Sequence, residues 1–205
     1  MSKLVIPRKT VYRLSLYYRA LQRLRGNRVE TVSSAALSKA AGVKPTQLRK
    51  DLAYFGHFGT RGLGYNVPAL SAKLTDVLGT TQLQPVILVG AGHLGSALLR
   101  YPGFAKEGFE VIAAFDADVE AKRRGIGVPV LPMGKMAEVV RDRHVKMAIL
   151  AVPAVVAQEV VNELVAAGVL AILNFAPLML QVPDNVVVNS VDLAIELENL
   201  SYFIQ

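Results

Sequence analysis

The sequence contains no cysteine, which excludes disulfides, thiolate metal sites and a cysteine nucleophile. That absence suits a reducing compartment, so a cytoplasmic protein is expected. Histidine is nearly as scarce. His57, His93 and His144 lie far apart without the spacing of metal ligands, and no metal site is expected. No uninterrupted apolar run reaches the roughly 18 residues that would suggest a membrane-spanning helix. The opening MSKLVIPRKTVYRL is charged and interrupted by Pro7, unlike a signal peptide. Acidic residues are few where basic ones abound. Residues 1–80 hold Glu30, Asp51 and Asp76 against fourteen Lys and Arg, a net of +11, whereas the rest of the chain nets −4. A basic half joined to a mildly acidic half suggests two tasks, the first being contact with a polyanion, foremost a nucleic acid. Hydrophobic residues make up 52% of the 205, enough for packed cores in one or two small domains.

The basic half has a helical rhythm. In residues 10–24, Val11, Leu14, Leu16, Tyr18, Leu21 and Leu24 fall near helical spacing, with Gly26 as the candidate C-cap. A short second helix follows, capped by Ser33 or Ser34 and stopped by Gly42, with Ala36, Leu37 and Ala40 facing inward. Pro45 suits the first turn of a third helix, which buries Val43, Leu48, Leu52 and Phe55. Two short helices around a Gly-containing turn predict a helix-turn-helix. On the second of them, Gln47 would pair with adenine edges, and Arg49 and Lys50 with guanine edges or phosphates. Asp51 would orient a neighbouring base-reading side chain or cap locally. A three-helix scaffold with a solvated basic face is the plainer alternative. The next stretch, HFGTRGLGYNV (57–67), separates the two. Its glycines flank Arg61 between two short predicted strands, a wing whose small tip lets Arg61 enter a narrow minor groove. Residues 71–84 are expected as a helix plus linker, with a domain boundary near Thr80.

The pattern then changes to apolar strands alternating with helices, which predicts a doubly wound parallel sheet. A strand at 86–89 runs into Gly90-Ala91-Gly92-His93-Leu94-Gly95, and Asp116 ends the next strand, 21 residues beyond Gly95. Gly90 permits a tight turn, Gly92 a close approach of backbone to pyrophosphate, and Gly95 close helix–sheet packing. A carboxylate at 116 would accept both ribose hydroxyls of NAD and repel a 2′-phosphate. Lys122, Arg123 and Arg124 leave NADP open. A related sheet could instead hold coenzyme A. About 125 residues follow the linker, which the sheet nearly exhausts, and no His-Asp or Ser-Tyr-Lys arrangement is evident. A domain that binds the nucleotide without consuming it, and no enzyme, is therefore expected. In residues 191–205, Leu193, Leu197, Leu200 and Ile204 form a stripe that Ala194, Ile195, Tyr202 and Phe203 broaden nearly all round. Such a helix needs cover on several sides, either its own sheet or a partner subunit. Asp192 is its natural N-cap.

Together QLRKDLAYFGHFGTRGLGY (47–65), VGAGHLGSAL (89–98), YPGF (101–104), ILNFAP (172–177) and VVVNSVDLA (186–194) resemble the Rex family of bacterial redox-sensing transcriptional repressors, over essentially the whole chain. The resemblance implies an α/β chain in three parts. These are a winged helix-turn-helix domain (1–80), a Rossmann doubly wound parallel sheet (81–191) and a C-terminal helix (192–205) swapped between the subunits of a homodimer. It implies that NADH and NAD+ compete for one site. The NAD+-bound or free dimer would hold a palindromic double-stranded operator. NADH would close the dimer and release it, derepressing respiratory and NADH-reoxidising genes. Carried onto this sequence, Arg49, Lys50 and Arg61 would touch DNA. Gly90, Gly92 and Gly95 would hold pyrophosphate and Asp116 the adenosine ribose. Pro153 and the loop that starts at Asn174 would lie near the nicotinamide. Tyr101 would bond Asp192 of the other subunit, with Arg19 as the alternative partner of that aspartate. The competing readings are an NAD(P)-dependent oxidoreductase with a basic extension and a coenzyme A-binding regulator.

Overall fold

The computed structural model describes residues 6–60, 62–119 and 127–204. The expectations for Arg61, Lys122, Arg123 and Arg124 therefore lie outside the described residues. The chain forms two compact units, 1–82 and 83–205.

The first unit is built on α1 (Arg8–Gly26), which buries Thr10, Leu14, Tyr17, Ala20 and Leu21. The expected stripe is rotated, because Val11 is exposed and Tyr17, absent from it, is fully buried. Gly26 is the last helical residue and Asn27 the cap. The chain then passes through β1 (Thr31–Val32), α2 (Ser34–Ala40) and α3 (Pro45–Ala53). Ser33 caps α2 by accepting the Ala36 N–H at 3.1 Å. Only Leu37 and Ser38 of α2 are buried. Ala36 and Ala40, expected inward, face solvent, because the helix is turned so that Leu37 and Ser38 take the buried side. Pro45 takes the first turn of α3, where its missing N–H costs nothing.

The wing consists of β2 (Gly59–Thr60) and β3 (Gly64–Asn66), antiparallel, with β1 on the far side of β3. Here α4 (Val67–Leu78) starts earlier than expected, because Asn66 accepts the Ala69 N–H at 2.8 Å and stops the strand by capping the helix. One core joins Leu14, Tyr17 and Leu21 of α1 to Leu37, Leu48, Leu52, Tyr65, Leu70 and Leu74.

The second unit carries six parallel strands: β4 (Gln84–Val89), β5 (Phe109–Asp116), β6 (Val130–Pro132), β7 (Met147–Leu150), β8 (Ala171–Asn174) and β9 (Val187–Ser190). Their order is β6-β5-β4-β7-β8-β9, the doubly wound order with its crevice between β4 and β7. Helices α5 (His93–Leu99) and α6 (Gly103–Lys106) lie along the chain between β4 and β5. Helices α7 (Met136–Asp142) and α8 (Ala154–Ala167) bury Met136, Val140, Ala157, Val161 and Leu164 against Ile87, Val89, Phe115 and Leu150. Successive strand residues point to opposite faces, so Val86, Leu88, Ala114 and Ile149 form the core of the other face. That face is only partly covered. An apolar trough of about 270 Å³ remains, lined by Phe104, Phe109, Met147, Ile149, Leu173 and Val187 among others. The chain ends in α9 (Leu193–Tyr202), none of whose described residues is buried.

Candidate functional site

Two sites take shape, one in each unit. In the first, α3 is split cleanly by its 3.6-residue period. Leu48, Asp51 and Leu52 are buried, while Thr46, Arg49, Lys50 and Ala53 are exposed. Arg49 reaches the Ser34 hydroxyl at 3.2 Å. Beside it, a concavity of about 510 Å³ opens between α3 and the wing, lined by Ser33, Ser34, Arg49, Ala53, His57, Thr60 and Tyr65 among others.

Gln47 departs from its expected role. Its Nε2 donates to Asp51 Oδ1 at 2.8 Å, which turns the side chain towards α1 and out of the exposed row. Asp51 is fully buried and is the hub of a network that sequence reasoning missed. It accepts from Arg13 Nε at 2.5 Å and Nη2 at 2.7 Å, from the Tyr17 hydroxyl at 2.7 Å and from Thr10 at 3.3 Å. Burial alone pushes the Asp51 carboxyl up. The bonds from Arg13, Tyr17 and Gln47 outweigh it and hold the group below its ordinary value. Tyr17 moves the other way, raised by burial and by its bond to Asp51. A signal was present in the sequence, since Asp51 is the only acid between Glu30 and Asp76. A lone carboxylate on a basic helix needs a partner.

In the second unit the glycines divide the labour of one turn. Gly90 has φ +94°, and a Cβ there would stand 2.4 Å from the Ala151 carbonyl oxygen. A Cβ on Gly95 would stand 1.8 Å from the Gly90 carbonyl oxygen, so the first turn of α5 lies on the loop itself. A Cβ on Gly92 would meet nothing within 4 Å. The structure needs glycine at 90 and 95 to fold, and at 92 it leaves space. Asp116 closes the turn by accepting the Ala91 N–H at 2.7 Å on Oδ2 and the Asp118 N–H at 2.9 Å on Oδ1. Its carboxylate stays partly exposed. Ala91 is fully buried, whereas His93 and Leu94 are exposed at the start of α5.

The cleft beyond this turn has a volume of about 540 Å³. Gly90, Gly92, Asp116, Val152 and Pro153 line it, together with Met133, Val156 and Val160, and the acids Asp118, Glu159 and Glu163 stand at its walls. An open space at Gly92, at the N-terminal end of α5, and a carboxylate one strand away fit a ribose–pyrophosphate. Pro153 is among the residues that line the cleft.

Asn174 does not line the cleft. It is fully buried, accepts the Ala176 N–H at 2.9 Å, and donates to the carbonyls of Ala176 and Leu178 and to the Ser190 hydroxyl at 3.1–3.2 Å. A buried amide takes all the local partners it can, so Asn174 shapes its loop instead of reaching out. Gln158, which no motif announced, pins the far end of that loop. It bonds both the N–H and the carbonyl of Gln181 at 2.9 Å.

Tyr101 is exposed and stacks edge-on against Phe104, with ring centroids 5.2 Å apart. Asp192 caps α9, its Oδ1 accepting from Ala194 at 2.9 Å and Ile195 at 3.3 Å. Arg19 is exposed on α1 in the first unit. Leu193, Leu197, Leu200, Phe203 and Ile204 are each more than 60% exposed. The option that this helix packs on its own sheet therefore fails. No group of three or more His, Asp or Glu able to hold a metal occurs among the described residues.

Residues 5–53 match the family described as "Putative DNA-binding protein N-terminus", and residues 81–178 that described as "CoA binding domain". The chain is 49% identical over 201 residues to the redox-sensing transcriptional repressor Rex of Carboxydothermus hydrogenoformans, covering 98% of this chain and 97% of that one. It is 48% identical to the repressor of the same name from Streptomyces coelicolor, covering 96% and 77%. Among solved structures, RSP in complex with beta-NAD+ and operator DNA superposes with a TM-score of 0.91 at 36% identity, covering 98% of this chain and 94% of that one. RSP in complex with beta-NADH superposes with a TM-score of 0.86 at 35% identity, covering 98% and 95%.

Proposed function

The chain belongs to the Rex family of redox-sensing transcriptional repressors, and from that membership we propose that it represses transcription by binding operator DNA and lets go when NADH occupies its Rossmann cleft. The observation that carries the reading is the space left at Gly92 beside the Asp116 carboxylate, in a chain whose other unit presents Arg49 and Lys50 on an otherwise small-residue helix face. Gly92 admits the pyrophosphate and Asp116 takes the adenosine ribose. Pro153, which lines the cleft, packs against the nicotinamide. Asn174 and Gln158 hold the 175–181 loop in shape. The coenzyme A reading shares the phosphate loop, but the solved relative carries NAD+ in one structure and NADH in another. The nucleotide is a signal and not a reactant, and the protein acts in the cytoplasm.

The nucleotide supplies one change: its nicotinamide ring is cationic when oxidised and neutral when reduced. Val152, Pro153, Val156 and Val160 give part of the cleft apolar walls, and a cationic ring seated against them, away from Asp118, Glu159 and Glu163, loses hydration without gaining a partner. The reduced form is thereby favoured. For that preference to reach DNA, the form with the higher affinity must bind the closed dimer better than the open one.

The dimer forms through α9, which inserts into the partner subunit and carries Asp192 with it. Its uncovered apolar surface and the uncovered trough on the sheet support this reading, because parallel sheets are normally covered on both faces. With Oδ1 of Asp192 engaged in capping, Oδ2 is the atom that exchanges between Tyr101 and Arg19 of the other subunit. The wing formed by β2 and β3 enters the minor groove. The test is fluorescence anisotropy of a duplex that the protein selects from a randomised library. NADH is expected to release the duplex and NAD+ to leave it bound. Release by NAD+ with NADH inert would reverse the proposed direction.

A further inference from the structure

The exposed face of α3 carries more than its two cations. A helix turns by about 100° per residue, so positions 46, 49, 50 and 53 share one side, opposite the buried Leu48, Asp51 and Leu52. Gln47 sits on the flank, its amide held by Asp51 at 2.8 Å. If α3 is the helix that enters the major groove, as the proposed function requires, the groups that meet base edges are Thr46, Arg49, Lys50 and Ala53. Arg49 and Lys50 suit guanine edges and phosphate oxygens. Thr46 and Ala53 present a γ-methyl and a β-methyl. In the major groove the chemical complement of a small apolar side chain is the C5-methyl of thymine.

We propose that Thr46 and Ala53 are specificity-determining residues that read thymine methyl groups, a role the sequence had given to Gln47 and adenine. The two side chains stand at opposite ends of the exposed row, seven residues apart. At about 1.5 Å per residue that is roughly 10 Å, or about three base steps of 3.4 Å. Each half-site therefore carries two methyl-sensitive thymines about three steps apart, on either side of the pairs met by Arg49 and Lys50. Gln47 sets no base preference through direct contact, because Asp51 keeps it turned towards α1.

The test uses the full chain without nucleotide and a duplex it selects from a randomised library. Each thymine is replaced in turn by deoxyuridine, which removes the methyl and keeps every hydrogen-bonding group. Loss of one buried methyl corresponds to about a fourfold weakening, expected at two positions per half-site. Thr46→Ser abolishes the thymine–uracil difference at one of them, and Thr46→Val preserves it. Ala53→Gly abolishes the difference at the other. Ala53 is the last residue of α3, so the glycine costs little helix stability. Equal binding of thymine and uracil at every position, with sequence selection intact, overturns the proposal. Methyl sensitivity that survives both Thr46→Ser and Ala53→Gly also overturns it. Failure to select any sequence overturns the DNA-binding reading on which it rests.

Discussion

Replacing Asp51 by Asn tests the buried network most directly. The carboxylate is fully buried and accepts hydrogen bonds from Arg13, Tyr17, Thr10 and Gln47. An amide keeps the shape and loses the charge, and it turns one acceptor into a donor that faces other donors. Removing one partner from a buried pair costs about 3–5 kcal/mol. The Arg13 side chain is 22% exposed, so water recovers part of its solvation and the lower end, about 3 kcal/mol, applies. For a unit of this size 1 kcal/mol shifts the unfolding midpoint by about 4–8 °C, which gives roughly 12–24 °C for the first unit. The loss depends on pH. A carboxyl whose folded pKa is depressed contributes its full stabilisation above the unfolded value, about 3.9, and loses it as the pH falls through the folded value. The gap between wild type and Asp51→Asn is therefore constant near neutrality and narrows below about pH 4. Thermal unfolding of the full chain by circular dichroism at several pH values measures it. An unchanged unfolding midpoint, or a gap that persists undiminished at acid pH, would refute the assignment of Asp51 as a charged hub.

Gly92→Ala should abolish NADH binding in calorimetric titration while leaving unfolding unchanged, because its Cβ points into open space; Gly95→Ala should destabilise the fold, because its Cβ meets the Gly90 carbonyl. Asp116→Ala should weaken NADH about ten- to hundredfold, the value of one hydrogen bond to a charged group, and unaltered affinity would move the ribose elsewhere. Leu197→Asp should shift sedimentation from dimer towards monomer, since α9 buries nothing within its own chain. Asp192→Ala should leave NADH and DNA affinities intact and cut the effect of one on the other; a fully responsive variant would reject the aspartate switch.

Much of the second unit was legible because its signals are local. A buried strand, three spaced glycines and an acid at the next strand end fall within 30 residues, and each has a steric reason that does not depend on distant chain. The wing and the cap at Ser33 were legible for the same cause. The errors were of a different kind. Helical periodicity gave a stripe on α1 but not its phase, so Val11 was expected inward and Tyr17 was passed over. On α3, Asp51 was expected to act only on its neighbours, whereas it also reaches Arg13 and Tyr17 of α1 and draws Gln47 with it. Asn174 carried a motif, and its amide is consumed by its own loop.

By itself the sequence determined the order of the two units, the glycine turn and the acid at the next strand end, the basic helix and the apolar terminal segment, because periodicity, turn chemistry and net charge are properties of neighbouring residues. Only the tertiary structure decided which polar groups remained available. Hydrogen bonds such as Arg13 to Asp51, 38 residues apart, or Gln158 to Gln181, 23 apart, depend on which helices meet. Packing removed Gln47 and Asn174 from the expected contacts and left Thr46 and Ala53 in the open. A buried donor or acceptor must find a partner, and that requirement is met across the fold and not along the chain.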